Sequence, residues 1–128
     1  MLRILVVDRC PDVREGLAML LELRGHEVEA AADASEALAK VGALNPQVIT
    51  TSVRLPGGMD GPTLARTIRQ RGDRETIIIC ITGSGDPAVL HHALRSGCDE
   101  VFQKPVDIDV LECAIRARIA GAGELVDL

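Results

Sequence analysis

The sequence predicts one α/β domain in which a doubly wound, five-stranded parallel sheet carries five helices. Short apolar segments alternate with helical patterns five times along the 128 residues, the order expected of consecutive strand–helix units. Residues 76–82 are β-branched and apolar on both faces, as in parallel strands that helices cover on both sides. A chain of this length supports one ordinary core. We assign the domain to residues 1–120 and expect residues 121–128 to form a flexible tail or the start of a linker.

The five predicted strands are short apolar runs bounded by residues that favour turns or helix starts. They cover residues 3–7, 28–32, 47–52, 76–82 and 100–104. The second of them is weaker than the first. Since every predicted strand is followed by a helix, the strands are expected to run parallel in one sheet.

Each predicted helix has a recognisable start. Prolines suited to the first turn occur at Pro11 and Pro62, and capping aspartates occur at Asp33, Asp86 and Asp107. The helices are expected to end near residues 25, 43, 72, 97 and 119. The first helix has one apolar stripe, which consists of Val13, Leu17, Leu20 and Leu21.

The composition excludes several functional classes. Phe102 is the only aromatic residue and the net charge is −5, so the domain lacks the stacking platforms and positive charge typical of nucleic-acid binders. No apolar run approaches the roughly 20 residues that span a membrane. The four cysteines form no C-x-x-C pair and no signal-peptide pattern is present. Buried, reduced thiols in a protein of the cytoplasm are therefore expected.

The residues at the carboxyl ends of the predicted strands are the candidate site. In open parallel sheets the functional crevice lies outside these ends, where the strand order reverses. Asp8 and Arg9 follow the first strand, and the later strands end at Ser52, Thr82 and Lys104. A Walker-type G-x-x-x-x-G-K-[ST] loop does not follow the first strand, so a P-loop or flavodoxin-type enzyme has little support.

Four short motifs at these boundaries resemble the receiver domain of two-component response regulators. They are I-L-V-V-D at residues 4–8, R-L-P-G-G-M-D-G at 54–61, I-T-G at 81–83 and K-P at 104–105. The resemblance covers residues 2–120 and implies the flavodoxin-like (βα)5 receiver fold. In that family, a carboxylate after the third strand accepts a phosphoryl group from a phosphohistidine of a partner kinase. Acids after the first strand help to hold the required Mg²⁺.

The sequence retains only part of the apparatus that this resemblance implies. Asp8 matches the first acid, Thr82 and Lys104 match the residues that bind the phosphoryl oxygens, and Pro105 matches the proline after the lysine. Whether the Lys104–Pro105 peptide bond is cis or trans is left open.

Three further positions depart from the family. Ser52 stands at the phosphoacceptor position, Arg9 replaces an acid that binds Mg²⁺, and Val101 occupies the position of the aromatic switch residue. The loop after the third strand is also one residue longer than usual.

These departures change the chemistry expected of the site. Asp8, Arg9 and Lys104 carry a formal charge of +1, and Mg²⁺ prefers carboxylate and other oxygen ligands. We therefore predict weak or no Mg²⁺ binding, no other cofactor and no catalytic residue. Ser52 would need a neighbouring base to act as a nucleophile, and we expect the only nearby candidate, Asp8, to be paired with Arg9 or Lys104.

The sequence favours a non-enzymatic signalling module that acts by protein contact without aspartyl phosphorylation. The resemblance implies a contact surface at residues 86–119 for a sensor histidine kinase or an effector; a homodimer is left open. One alternative is a sensor that binds an anion or small metabolite through Arg9, Lys104, Thr82 and Ser52. Another is a conventional phosphoaccepting regulator with a non-standard site.

Overall fold

The computed structural model describes residues 1–127, with side chains described as far as residue 121. Strands and helices alternate throughout, which confirms the predicted class. The strands are β1 (Arg3–Val7), β2 (Glu27–Ala31), β3 (Val48–Thr51), β4 (Ile77–Thr82) and β5 (Glu100–Gln103). The helices are α1 (Pro11–Leu23), α2 (Ala34–Leu44), α3 (Gly61–Gln70), α4 (Pro87–Ser96) and α5 (Ile108–Asp127).

All five strands are parallel and lie in the order β2-β1-β3-β4-β5. Val6 of β1 is in register with Ala30 on one side and with Thr50 on the other. The chain therefore reverses its direction of travel across the sheet between β1 and β3, as in the flavodoxin-like fold. This reversal places a crevice at the carboxyl ends of β1 and β3, where the candidate residues were predicted.

The predicted helix starts are confirmed by capping hydrogen bonds. The side chain of Asp33 accepts a hydrogen bond from the Glu36 N–H at 2.8 Å. Asp86 caps α4 by accepting from the Ala88 N–H at 2.9 Å. Asp107 accepts in the same way from the Asp109 N–H at 2.7 Å. Each aspartate satisfies an amide that the first helical turn leaves without an intrahelical partner.

The sheet separates two apolar clusters, because successive side chains of a strand point to opposite faces. The α2–α4 face denotes the side covered by α2, α3 and α4, where Leu5 and Ile49 pack with Leu64 and Ile68. The α1–α5 face denotes the opposite side, where α1 and α5 contribute Leu21, Leu111 and Ile115. Both clusters extend to the carboxyl ends of the strands, so the candidate site residues lie on a packed core.

Two helical predictions need correction. The stripe on α1 is only partly a core stripe: Leu21 is buried, but Val13 and Leu20 are 43% and 47% exposed. Helix α5 continues past Ile119 to Asp127, because the two glycines expected to end it lower helix propensity without breaking the helix. The tail predicted at 121–128 lies largely outside the residues with described side chains, and the domain boundary at residue 120 stays a prediction.

The cysteine prediction is correct in part. All four thiols are free. Cys80 and Cys98 are buried in the core of the α2–α4 face, as expected. Cys10 and Cys113 are exposed instead, since one precedes the first turn of α1 and the other lies on the solvent side of α5. Within the described residues, no helix is both long and apolar enough to cross a membrane.

Candidate functional site

A polar crevice lies where β1, β3, β4 and β5 end. It encloses about 600 Å³. The predicted site residues that meet there are Asp8, Arg9, Ser52, Thr82 and Lys104. The structure thus brings together five residues that are spread over most of the sequence, although their roles stay predictions. Pro105 faces a second, adjoining cavity.

Both oxygens of the buried Asp8 carboxylate are engaged. Oδ2 lies 3.3 Å from the Lys104 Nζ, and Oδ1 accepts a hydrogen bond from the Cys10 N–H at 2.9 Å. Arg14 also holds this segment, because its Nη1 donates to the Asp8 backbone oxygen at 2.8 Å. Sequence reasoning missed Arg14, since an arginine in the first turns of a helix carries no distinctive signal. Lys104 is one of the two partners that the sequence predicted for Asp8.

Asp8 does not pair with Arg9, the other partner that the sequence suggested. The Arg9 side chain is exposed and lines the polar crevice. Among the described residues, no hydrogen bond or ion pair of the Arg9 guanidinium is found. Arg9 therefore adds positive charge to the mouth of the crevice, while Lys104 neutralises Asp8 inside it.

Ser52 is buried directly after β3. Its hydroxyl donates to the Arg54 backbone oxygen at 3.3 Å, and its own N–H donates to the Val7 backbone oxygen at 3.1 Å. The start of α3 packs closely on it: a Cβ at Gly61 would lie 2.1 Å from the Ser52 backbone oxygen. Ser52 is therefore fixed by its backbone, and its hydroxyl proton is directed into the β3–α3 loop instead of toward Asp8.

The ends of β4 and β5 are tied to each other. The Lys104 N–H donates to the Thr82 backbone oxygen at 2.7 Å, and the Thr82 hydroxyl oxygen accepts from the Ser84 N–H at 3.1 Å. The Lys104–Pro105 peptide bond is cis, which answers the question left open by the sequence. Thr82 and Lys104 thus border the same crevice from neighbouring strands.

Val101 and Phe102 point to opposite faces of the sheet, as strand alternation predicts. Val101 packs against the core of the α2–α4 face, whereas Phe102 packs against the core of the α1–α5 face. The only aromatic ring of the chain therefore lies on the face away from the position that Val101 occupies.

The donor set of the crevice does not fit Mg²⁺. The ion requires oxygen ligands in near-octahedral geometry, usually with one or two carboxylates. Here the Asp8 carboxylate already binds Lys104 and the Cys10 N–H, and the neighbouring position holds Arg9. In the part of the chain that the structure describes, no group of three His, Cys, Asp or Glu side chains is placed to hold a metal ion.

A second cavity of about 510 Å³ lies behind the Asp8–Lys104 pair, on the α1–α5 face. Its walls are Val13, Leu17 and Leu20 of α1 and Pro105 and Val106 of the β5–α5 loop. Sequence reasoning did not find this cavity. One signal was available in the sequence. The apolar stripe on α1 has more members than the core of the domain buries, since Val13 and Leu20 stay exposed.

Known proteins similar to this chain agree on one family. The family model for the response regulator receiver domain matches residues 4–116. The DNA-binding response regulator MtrA of Mycolicibacterium smegmatis is 33% identical over 117 residues, which cover 91% of this chain and 50% of MtrA. The transcriptional regulatory protein FixJ of Azorhizobium caulinodans is 33% identical, over 93% of this chain and 56% of FixJ. The chain thus spans about half the length of these relatives.

Solved structures show the same likeness. A two-component response regulator from Clostridium difficile superimposes with a TM-score of 0.86 at 26% identity, over 94% of this chain and 97% of that one. The chemotaxis protein CheY4 of Vibrio cholerae gives a TM-score of 0.84 at 28% identity, over 91% of this chain and 98% of CheY4. The family model, the sequence relatives and the solved structures agree, and the chain belongs to the response regulator receiver domains of two-component signalling.

Proposed function

We propose that this receiver domain signals by contact with a protein partner and without aspartyl phosphorylation. The observation that carries the proposal is the state of two positions in the crevice. Ser52 stands where the family has its acceptor aspartate, and its hydroxyl donates to the Arg54 backbone oxygen. The Asp8 carboxylate is bound to Lys104 at 3.3 Å. The domain has neither an ionised acceptor at Ser52 nor a free base beside it.

The chemistry of an alcohol explains why Ser52 does not replace the acceptor. A carboxylate is ionised at neutral pH, whereas a serine hydroxyl becomes a useful nucleophile only when a base removes its proton. Asp8 would have to release Lys104 and turn toward Ser52 to do so. We also propose that Mg²⁺ binds weakly or not at all, because Arg9 occupies the position of a ligand acid.

Residues 86–119 are the proposed contact surface. Three large apolar side chains are exposed there, at Leu94 of α4 and at Val110 and Ile119 of α5. Arg118 stiffens this surface by pairing with Glu100 of β5 at 3.0 Å. A partner that covers these side chains would remove apolar surface from water, which favours association.

Receiver domains as a family interact with histidine kinases and effector domains, and either class is a proposed partner of this one. We propose no enzymatic activity, no contact with nucleic acid or membrane by this domain, and a cytoplasmic location. A homodimer through residues 86–119 would use the same exposed side chains.

Intact-mass spectrometry tests the proposal directly. The protein is incubated with Mg²⁺ and acetyl phosphate, and we expect no increase by the mass of a phosphoryl group. Such an increase that disappears in Ser52→Ala would overturn the proposal and establish a phosphoaccepting regulator with a non-standard site.

The matched control restores the family residues. In the double variant Ser52→Asp/Arg9→Asp, we expect phosphorylation to appear, because an ionised acceptor and a second metal-binding acid are then present in an otherwise intact crevice. If the double variant also stays unmodified while remaining folded, the block lies elsewhere in the crevice and not at these two positions.

The exposed Arg9 supports a second candidate function, the binding of a small anion. Arg9 and Lys104 border the polar crevice together with the Thr82 and Ser52 hydroxyls, and guanidinium groups bind phosphate through charge-assisted hydrogen bonds. Titration with inorganic phosphate at constant ionic strength should then raise the melting temperature of the protein and not that of Arg9→Gln. Equal melting curves with and without phosphate would exclude this candidate.

A further inference from the structure

Helix α1 carries a row of acidic side chains on its solvent side. We call this row the α1 ridge; it consists of the exposed residues Asp12, Glu15, Met19 and Glu22. At about 3.6 residues per turn, the four side chains leave the helix within about 80° of one another and extend over roughly 15 Å. Among the described residues, the three carboxylates form no ion pair. The ridge therefore presents uncompensated negative charge.

The basic residues beside the α1 ridge are engaged elsewhere. Lys40 borders the same depression beside α1, but its ammonium group pairs with Glu29 at 3.7 Å and with Glu36 at 3.3 Å. Arg14 is the one basic residue of α1, and it donates to the Asp8 backbone oxygen at 2.8 Å. The ridge thus keeps its negative charge in the folded domain.

A groove of opposite charge lies between α3 and α4, on the other side of the sheet. It encloses about 680 Å³. We call it the basic groove, because its charged or titratable lining residues are Arg66, His91, His92 and Arg95. In the part of the chain that the structure describes, no acid lines this groove and neither arginine is in an ion pair. Arg66 is held in place because its Nη2 donates to the Ser96 hydroxyl oxygen at 3.3 Å.

The acids at the two ends of α4 do not neutralise the basic groove. Asp86 caps the helix by accepting from the Ala88 N–H and borders the polar crevice instead. Asp99, which follows the helix, is paired with Arg69 at 3.0 Å. With neutral histidines, the groove therefore carries a formal charge of +2 from Arg66 and Arg95.

The α1 ridge and the basic groove match in length and in charge. From Pro87 to Arg95 the groove follows α4 for about 12 Å, against roughly 15 Å for the ridge. A carboxylate accepts two parallel hydrogen bonds from a guanidinium group, and a neutral imidazole donates one. The net charge of −5 on each copy does not prevent this contact, because physiological salt screens exposed charges that are more than about 8 Å apart.

From this complementarity we propose that copies of this domain associate head to tail, with the α1 ridge of one copy in the basic groove of the next. The ridge belongs to the α1–α5 face and the groove to the α2–α4 face, so the two surfaces of one copy cannot both close against the same partner. Contacts of this heterologous kind build chains or rings instead of two-fold dimers. The proposal goes beyond the proposed function, since it depends neither on Ser52 nor on a kinase or effector.

Sedimentation velocity of the unmodified protein is the first test. In about 0.05 M sodium chloride we expect the weight-average mass to rise with protein concentration. In about 0.5 M sodium chloride the dissociation constant should be at least about tenfold higher, because salt screens the charges of the contact. A protein that stays monomeric at about 1 mM in low salt, or an association that salt does not weaken, overturns the proposal.

Two neutralised variants separate the halves of the contact. The ridge variant is Glu15→Gln/Glu22→Gln, and the groove variant is Arg66→Gln/Arg95→Gln. Each alone should associate at least about tenfold more weakly than the parent protein, because each keeps only one charged half of the contact. In an equimolar mixture, the intact groove of the ridge variant meets the intact ridge of the groove variant. We therefore expect dimers and no larger species, and a mixture that associates no better than either variant alone contradicts the proposal.

Matched controls change exposed side chains outside both surfaces. Arg74→Gln and Glu75→Gln remove one charge of each sign from the turn after α3, and Leu94→Ser changes the apolar side of α4. All three should leave the association unchanged, with circular dichroism showing that every variant is folded. Loss of association in Leu94→Ser but not in the groove variant would overturn the proposal in favour of a homodimer through residues 86–119. Phosphoryl transfer and phosphate binding are measured separately, so failure here is distinguishable from failure of either proposed function.

Discussion

The helices pack more closely on the α2–α4 face of the sheet than on the α1–α5 face. On the α2–α4 face, Arg69 of α3 crosses to the segment after α4, where it donates to the Gly97 oxygen at 3.1 Å and pairs with Asp99 at 3.0 Å. Leu64 and Ile68 of the same helix are buried in the core of this face. On the α1–α5 face, the side chains of α1 leave a cavity of about 510 Å³.

On the α1–α5 face, ion pairs connect α5 to the segment after α1, whereas the cavity lies beside the start of α1. Just after α1 ends, Arg24 pairs with Asp109 of α5 at 2.8 Å, and His26 lies 3.7 Å from the largely buried Glu112. Beside the first turn of α1, at Val13, the cavity separates the helix from Val106. The difference teaches that α3 packs closely on one face of the sheet, whereas α1 leaves unfilled space beside the site on the other.

The largest expected effect contrasts a buried side chain on the α2–α4 face with a side chain on the rim of the cavity. Ile68→Ala removes a side chain that is 2% exposed on the α2–α4 face, and should lower the free energy of unfolding by about 2–5 kcal/mol. Leu20→Ala, on the rim of the cavity, should cost less than about 1 kcal/mol. Urea unfolding of both variants measures the difference; equal losses would show that the α1–α5 face is as closed as the other.

A glycine on each face gives the next contrast. Gly61→Ala places a Cβ within 2.1 Å of the Ser52 backbone oxygen, so α3 must shift, at a cost of about 1–3 kcal/mol. Gly16→Ala in α1 meets nothing within 4 Å and should stabilise the protein by about 0.5–1 kcal/mol through its higher helix propensity. Thermal unfolding distinguishes the two signs. A neutral Gly61→Ala would mean that the close approach of α3 to Ser52 is not required.

The smallest effect concerns pH and the turn between α3 and β4. Burial acts to raise the pKa of Asp73, but hydrogen bonds from the Thr76 hydroxyl and from the Thr76 and Glu75 amides, with the charge of Arg69, lower it below its ordinary 3.8. A lowered folded-state pKa contributes stability above the unfolded-state value, and this stability is lost as the pH falls through the folded-state pKa.

The variant Asp73→Asn should therefore be slightly less stable than the parent protein at neutral pH, and the difference should shrink in acid. Melting temperatures recorded from neutral pH down to about pH 2 measure this, with Glu15→Gln, at an exposed acid of α1, as the control. A constant difference between parent and Asp73→Asn at every pH would mean that the ionised carboxylate is not what stabilises this turn.

Local patterns were sufficient to predict the elements and to place the candidate residues at the ends of the strands. Capping aspartates such as Asp33 and Asp86 mark helix starts by hydrogen bonds that span only two or three residues, so a sequence window contains them. The end of α5 was placed too early, because the cost of glycine within a helix is small enough for a longer helix to absorb it.

Partner choice within the site was harder to predict. Asp8 has two basic candidates in the sequence, its neighbour Arg9 and the distant Lys104, and residue types do not decide between them. The structure pairs it with Lys104, because β1 and β5 both end at the same edge of the sheet. Arg14 was missed for a similar reason, since its bond to the Asp8 backbone oxygen depends on the path of the chain into α1.

The sequence by itself determined the α/β class and the order of the elements, since these depend on periodicity and residue identity. That Ser52 stands at the family's acceptor position stays a prediction. The tertiary structure decided which groups bind the Asp8 carboxylate and where the Ser52 hydroxyl points. It also revealed a cavity where the sequence predicted only a stripe of Val13, Leu17 and Leu20. Distances between chain segments and unfilled volume depend on how helices settle on the sheet, and no local pattern encodes them.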